Sequence, residues 1–485
     1  MKRQEFMSTL LRGAIAGLVG GFICAIALLV SGSAAAAAVI GSISTAAVGV
    51  VVTLVLAAVG GAGFAALMRS QPSGRGEMLF WGLSYGALLW FALPLTLVPL
   101  LMDGMLHWDV RSAQAAFPSL LGYLVYGAVL GLALVALRRE APASGMHVGN
   151  GALLRGAIAG LIGGALLGVM LDTQGQLLAF AAMMAGHSRS IAWLVTLAIG
   201  IVAGVGFSVL YPRLSGGGGP ALVRGMVYGF CWWVAGGLTI MALAGGTGPA
   251  WSVAAARTGF ATFPGYLLFG AAIAIVYTWL DALVRVLFSD GPAGRDEEGA
   301  GARGLRAIGR GAVAGLAGGL MFTIIMVEIG FLPVVASLVG SRSVVTGLIV
   351  HLIIADLIGA SYGLLFRRQS YDLGSALGWG VAYGFFWWIL GPLTLLPVLL
   401  GAPPRWTVAV ATQLMPSLVG HLLYGAGLGI AFYLLEARYS PWWIPLTQAE
   451  AARAARRKAQ LQTSAPALWS LIVIVALTLP ILLGM

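Results

Sequence analysis

Charge is scarce in this chain: only 9% of its 485 residues are Asp, Glu, Lys or Arg, and 60% are hydrophobic. With a mean hydropathy of +0.96, that balance lies far outside the range of soluble globular domains, of which about a quarter is charged. Cysteine is scarcer still. Cys24 and Cys231 both fall within apolar runs, where they read as small core residues that carry no information about redox compartment. Long polar stretches are also missing. The largest, 282–310 and 436–466, are too short for a soluble catalytic domain and lack a phosphate-binding Gly-Lys motif, a CxxC pair, HExxH and a nucleophile elbow. An ATP-driven pump and a hydrolase with a conventional soluble site are therefore not expected. No cleavable signal peptide is evident either, because the first apolar run continues into the first of three repeats.

What the chain does contain is one pattern written three times. Arg12-Gly13-Ala14-Ile15-Ala16-Gly17 returns as Arg155-Gly156-Ala157-Ile158-Ala159-Gly160 and as Arg310-Gly311-Ala312-Val313-Ala314-Gly315, at offsets of 143 and 298. Tyr85-Gly86, Tyr228-Gly229 and Tyr383-Gly384 keep these offsets, as do Trp108, Trp251 and Trp406. A period of this kind sets the architecture before any single residue is considered.

Apolar runs near the roughly 20 residues needed to cross a bilayer predict helices at 13–31, 44–68, 80–102 and 116–137, then 156–172, 191–211, 225–244 and 261–281, then 311–329, 344–366, 376–400 and 413–435, with one more at 467–485. The expected fold is an all-α integral membrane protein of about 13 transmembrane helices, three parallel four-helix repeats and a C-terminal helix. The repeats occupy 11–140, 153–285 and 309–438, a cytoplasmic linker 286–308, a basic interfacial segment 439–466 and the last helix 467–485. An even number of helices per copy makes the repeats parallel, unlike the inverted repeats of many secondary transporters.

The net charge of +11 is distributed by side, not gathered into a nucleic-acid surface. Of the 27 basic residues, 22 fall on the side of the N-terminus and only Arg111, Arg189, Arg257, Arg342 and Arg405 on the other. The positive-inside rule then expects a plasma-membrane protein with a cytoplasmic N-terminus and, with an odd helix count, an extracytoplasmic C-terminus. Thr447 and Glu450 form a capping box ahead of a helix bearing Arg453, Arg456, Arg457 and Lys458, with Trp442 and Trp443 before it. That segment is expected to lie on the anionic cytoplasmic leaflet, with partner docking as a second use.

Three recurring features read first as packing. Glycines four apart on each first helix (Gly13, Gly17 and Gly21; Gly156, Gly160, Gly164 and Gly168; Gly311, Gly315 and Gly319) clear one face for close approach of another helix. Pro94 and Pro99, and Pro392 and Pro397, mark kinks in the third helices beside tryptophan, with Thr96 or Thr394 available to a freed carbonyl; a hinge facing a cavity is the sharper reading. Trp108, Trp251 and Trp406 with Arg111, Arg257 and Arg405 read as interfacial anchors at outer positions, the arginines spaced to keep one helical face, with an anion-attracting ring as the alternative.

Polar groups inside spans are costly and mark candidate sites. They concentrate in the third copy as Glu328, His351, Asp356 and His421, where the other copies have Thr53 and Thr196 for His351, Tyr123 and Tyr266 for His421, and Ala58 and Ile201 for Asp356. Asp356 is expected near the bilayer midplane, but five residues after His351 it lies too far round the helix for a compact pair. Interhelical hydrogen bonding accounts for each of these groups; so would binding of a proton, a cation, a quinone or, if both imidazoles share a cavity, a haem.

The third copy, with His351, Tyr383-Gly384, Trp387-Trp388, Gly391-Pro392, Gly420-His421 and Tyr424-Gly425, resembles a group of uncharacterised small polytopic membrane proteins of bacteria and archaea. The resemblance implies a fused triplicate of a four-helix module and no specific activity. Three functions stay open: a non-enzymatic structural or accessory component of a larger membrane complex; a transporter or channel for a small solute or ion using Asp356; and a quinone- or haem-binding redox protein using His351 and His421. The expected partners are the bilayer, its anionic inner-leaflet lipids and other membrane subunits. No nucleic acid, catalytic residue or metal site is expected.

Overall fold

The structure is a computed structural model that describes residues 2–30, 46–71, 74–102, 104–138, 148–182, 188–212, 217–246, 248–288, 300–370, 372–437, 450–451, 454–455 and 465–483. Among these, all regular structure is helical, and 12 helices are long and apolar enough to cross a membrane. They are α1 (Gln4–Ile26), α2 (Val50–Ser70), α3 (Arg75–Met102), α4 (Phe117–Leu137), α5 (Asn150–Thr173), α6 (Arg189–Leu210), α7 (Gly218–Ala244), α8 (Val253–Val284), α9 (Gly304–Glu328), α10 (Val344–Phe366), α11 (Leu373–Leu399) and α12 (Met415–Glu436). A shorter apolar helix, α13 (Pro466–Leu482), follows. The chain is an all-α polytopic membrane protein. Several helices begin before the apolar run that predicted them: the helix that holds the span α1 extends over Lys2–Val30 and carries Glu5 and Arg12. Hydropathy marks the hydrocarbon stretch, whereas backbone bonding continues into polar residues beyond it. Apart from 450–451 and 454–455, the basic interfacial segment with Trp442, Trp443, Thr447, Arg453, Arg456, Arg457 and Lys458 lies outside the described residues, as does much of the linker 286–308.

The helices form two compact units, one of Met1–Arg213, Met226–Ile273 and Trp469–Met485, the other of Leu214–Gly225 and Ala274–Leu468. Within them the helices are joined in glycine-faced pairs. A Cβ on Gly17 would strike the Ala57 carbonyl of α2, one on Gly160 the Gly200 carbonyl of α6, and one on Gly311 the Gly359 carbonyl of α10. Gly13, Gly21, Gly156, Gly164, Gly315 and Gly319 make similar close approaches to the same partner helices. The third and fourth helices pair in the same manner. Gly82 meets the Gly127 carbonyl, Gly229 the Tyr266 carbonyl, and Gly380 and Gly384 the carbonyls of Gly425 and His421. Without side chains between them, the backbones gain dispersion contact that a hydrocarbon solvent cannot otherwise provide.

Each third helix changes pitch at a matching place. Residues 93–97 in α3, 233–240 in α7 and 391–395 in α11 wind as π-helix, around Pro94, Gly236-Gly237 and Pro392. A proline inside a helix lacks its N–H and crowds the preceding turn, and the wider turn relieves both problems. The carbonyl left over is taken by a threonine five residues on: Thr96 donates to Phe91 O at 2.8 Å, Thr239 to Val234 O at 2.7 Å and Thr394 to Ile389 O at 2.7 Å.

The loop that follows then turns back onto the same threonine. The indole N–H of Trp108 donates to Thr96 at 3.0 Å, that of Trp251 to Thr239 at 2.9 Å and that of Trp406 to Thr394 at 3.0 Å. One residue earlier, the backbone N–H groups of His107, Ala250 and Arg405 donate to the carbonyls of Leu95, Leu238 and Leu393. These tryptophans are therefore latches on the π segment. Trp406 is 0% exposed, Trp251 3% and Trp108 59%, so interfacial anchoring suits Trp108 alone.

The outer arginines sit at three different places near the outer ends of the fourth spans. Arg111 lies on Val110–Ala115, Arg257 on Val253–Gly259, and Arg405 in the loop before Val408–Gln413. Regular α winding is interrupted beside each short helix, at Ala116, at Phe260–Thr262 within α8, and at Leu414. The break is itself tied down: Trp90, Trp233 and Trp388 donate to the carbonyls of Ala116, Gly259 and Leu414 at 3.1, 3.3 and 3.3 Å.

α13 packs on α3, where Ser470 donates to Phe80 O at 2.9 Å and meets Ser84 Oγ at 3.2 Å. At its far end Gln114 donates to the carbonyls of Pro480 and Leu483, occupying two of the acceptors that a helix C-terminus leaves open.

Candidate ligand cavity

The cavity that draws the candidate residues together lies inside the bundle of α9, α10, α11 and α12. Its volume is about 220 Å³. Phe322 and Met326 of α9 form one wall, His351, Ala355 and Ile358 of α10 a second, Trp387, Gly391, Pro392 and Leu395 of α11 a third, and Ser417, His421 and Tyr424 of α12 the fourth. Phe331, Val335 and Leu338 close one end from the α9–α10 connection, where Leu332–Ala336 forms a short helix whose Leu332 carbonyl seats on Gly347. The π segment of α11 contributes Gly391, Pro392 and Leu395, so the change of pitch shapes the wall.

His351 and His421 face this one space, and each has a ring nitrogen bonded to backbone. His351 Nε2 lies 3.0 Å from Gly319 O on α9, and His421 Nδ1 lies 2.8 Å from Ser417 O one turn earlier, with Ser417 Oγ at 3.4 Å. Phe322 stands edge-on to both imidazoles, with centroid distances of 5.3 Å to His351 and 4.6 Å to His421. The Tyr424 hydroxyl donates to Ala355 O at 2.8 Å, just as Tyr126 donates to Ala57 O at 2.8 Å. The remaining lining is apolar or aromatic, and it includes Trp387, whose indole N–H is buried with no hydrogen-bond partner among the described residues.

The other two candidates lie elsewhere. Glu328 is exposed at the end of α9. Asp356 is half-buried on α10, does not line the cavity, and has no hydrogen bond or ion pair among the described residues. The four polar residues of the third copy are thus one imidazole pair and two separate carboxyls. Phe322, Ser417 and Gly391 complete the cavity. Phe322 was legible as a departure from the repeat, since Cys24 and Leu167 stand at its offsets.

The residues 155 positions earlier show a tyrosine where His421 stands. Tyr266, at the offset of His421, is buried, and its hydroxyl lies 3.4 Å from where a Cβ on Gly236 would be. Gly391 holds the offset of Gly236, and its absent Cβ would be 3.8 Å from His421 Nε2. Tyr383 also departs from its counterparts. Tyr85 and Tyr228 donate directly to the carbonyls of Gly60 and Ala203, whereas Tyr383 bonds Ser361 Oγ at 2.7 Å and Ser361 carries the bond on to Ile358 O.

A haem does not fit this space. The cavity is below the roughly 300–1,000 Å³ of sites for drug-sized ligands, and Phe322 sits against both rings. Among the described residues no cluster of three or more His, Cys, Asp or Glu is placed to hold a metal ion. The chain matches no protein-family model, and none of the curated proteins or solved structures compared with it gave a match.

Proposed function

We propose that the chain is a triplicated four-helix membrane module, N-terminus in the cytoplasm, whose third copy binds a small uncharged lipid-soluble molecule and serves as a non-enzymatic accessory component of the membrane. The apolar cavity of about 220 Å³ carrying two imidazoles supports this reading. A preformed apolar space with few polar groups suits a ligand that reaches it from hydrocarbon. The triplication is supported by the threonine, tryptophan and glycine contacts that recur at offsets of 143 and 298. The orientation is supported by the asymmetry of the basic residues. Ion transport through Asp356 has less support, because that carboxyl is off the cavity.

Replacing His421 with Tyr, the residue at both matching positions, tests the reading. Native mass spectrometry of protein taken from its own membrane should show a stoichiometric apolar molecule on the wild type and none on His421→Tyr. Asp356→Asn should keep it. A wild type that carries no such molecule, or a His421→Tyr variant that keeps it, would remove the case for a binding cavity.

A further inference from the structure

Building on that binding reading, we infer that the ligand of the α9–α12 cavity is recognised through a hydroxyl that donates to His421 Nε2, which makes it an apolar alcohol, such as a terpenoid alcohol or a hydroquinone.

The argument begins with what carbonyl oxygens do: they only accept. The ring nitrogen facing Ser417 O at 2.8 Å must therefore carry the proton, so His421 is the Nδ1–H tautomer. By the same reasoning His351 donates from Nε2 to Gly319 O at 3.0 Å. A neutral imidazole with one N–H leaves its other nitrogen as a bare lone pair. No carboxylate lines the cavity to pair with a second proton on either ring, and an unpaired charge there would face hydrocarbon. The atom held ready on His421 is an acceptor.

Its surroundings leave that acceptor for a guest. Among the described residues Nε2 has no hydrogen-bond partner, and it sits beside Gly391, whose missing side chain keeps the approach clear. The Tyr424 hydroxyl proton already goes to Ala355 O, and Ser417 Oγ lies on the Nδ1 side of the ring. At His421 Nε2 a carbonyl guest would set two acceptors against each other. A hydroxyl guest completes the imidazole, and the apolar walls take its hydrocarbon part.

Geraniol and geranyl methyl ether share a carbon chain and differ in the donor, so equilibrium displacement of labelled geraniol from the whole protein in nanodiscs isolates the hydrogen bond. The alcohol should bind the wild type about tenfold more tightly than the ether, the worth of one hydrogen bond. In His421→Leu the ether should still bind and the preference should fall to about one. Equal binding of the two by the wild type would overturn the hydroxyl assignment while leaving the apolar cavity in place, as would a preference that survives in His421→Leu. Failure of the wild type to bind either compound would overturn the binding reading itself, and the assignment with it.

Discussion

Trp406→Ala should destabilise the protein by about 3–5 kcal/mol, the usual cost of emptying a site filled by a large buried aromatic side chain. The indole is 0% exposed and its N–H is the donor that Thr394 receives. Trp108→Ala removes the same bond from a side chain that is 59% exposed, so about 1 kcal/mol is expected. Trp251, 3% exposed, should behave like Trp406. Thr394→Val provides the complementary test. It keeps the shape and leaves both the Ile389 carbonyl and the Trp406 indole without a partner, at roughly 1–3 kcal/mol for each orphaned group. The measurement is thermal unfolding in one detergent, followed by labelling of the buried Cys24 thiol, which avoids any dependence on tryptophan fluorescence. A Trp108 variant as damaging as the Trp406 variant would show that burial does not set the strength of the latch.

Gly384→Ala should also be strongly destabilising, and it acts through a different force. The new methyl would overlap the His421 carbonyl of α12, and its distance to the carbonyl carbon would be 2.9 Å. No rotamer change relieves a clash between a Cβ and a neighbouring backbone. The two helices must separate, losing the contact along Gly380, Gly384, Gly425 and Gly429, and the cost is at the upper end of the 1–3 kcal/mol typical of overpacking. Because the displaced carbonyl belongs to His421, ligand occupancy should fall as well. Gly309→Ala has the opposite expected sign. It lies in α9 with nothing within 4 Å of its absent Cβ, so the gain in helix propensity of about 0.5–1 kcal/mol is unopposed. Folded yield after size-exclusion chromatography would rank the two. If Gly384→Ala is tolerated as well as Gly309→Ala, the α11–α12 pair does not depend on backbone contact.

The helices, the glycine-faced pairs and the bends at Pro94 and Pro392 were legible because each follows from residues close in sequence: an apolar run, a spacing of four, a missing N–H. The latch was hidden because Trp406 and Thr394 meet only after the chain has turned back, and a tryptophan near a helix end reads on its own as an interfacial anchor. The signal was present all the same. Trp and Thr keep a separation of 12 residues in all three copies, and a fixed separation across a loop of changing sequence marks a contact. The candidate site was half legible. His351 and His421 were identified by their polarity, but polarity cannot say which groups share a space. Asp356 shares their ionisable character, although it does not line the cavity. Phe322, which brings the imidazoles against one ring, was overlooked because an aromatic residue in a membrane helix attracts no notice.

The π segments also carry a record of order in time. A π turn holds one residue more than the α turn it interrupts, so its simplest origin is a single inserted residue. Residues 93–97 and 391–395 coincide at the offset of 298, the longer segment 233–240 contains the matching residues 236–240, and in all three a threonine takes the surplus carbonyl. On the triplication proposed above, one insertion in an ancestral module accounts for three bends, and it came before the copying. The cavity imidazoles His351 and His421, which have Thr53 and Thr196 and Tyr123 and Tyr266 at their offsets, record on the same reading a later divergence: the scaffold was settled first, and its third instance was then given its imidazoles.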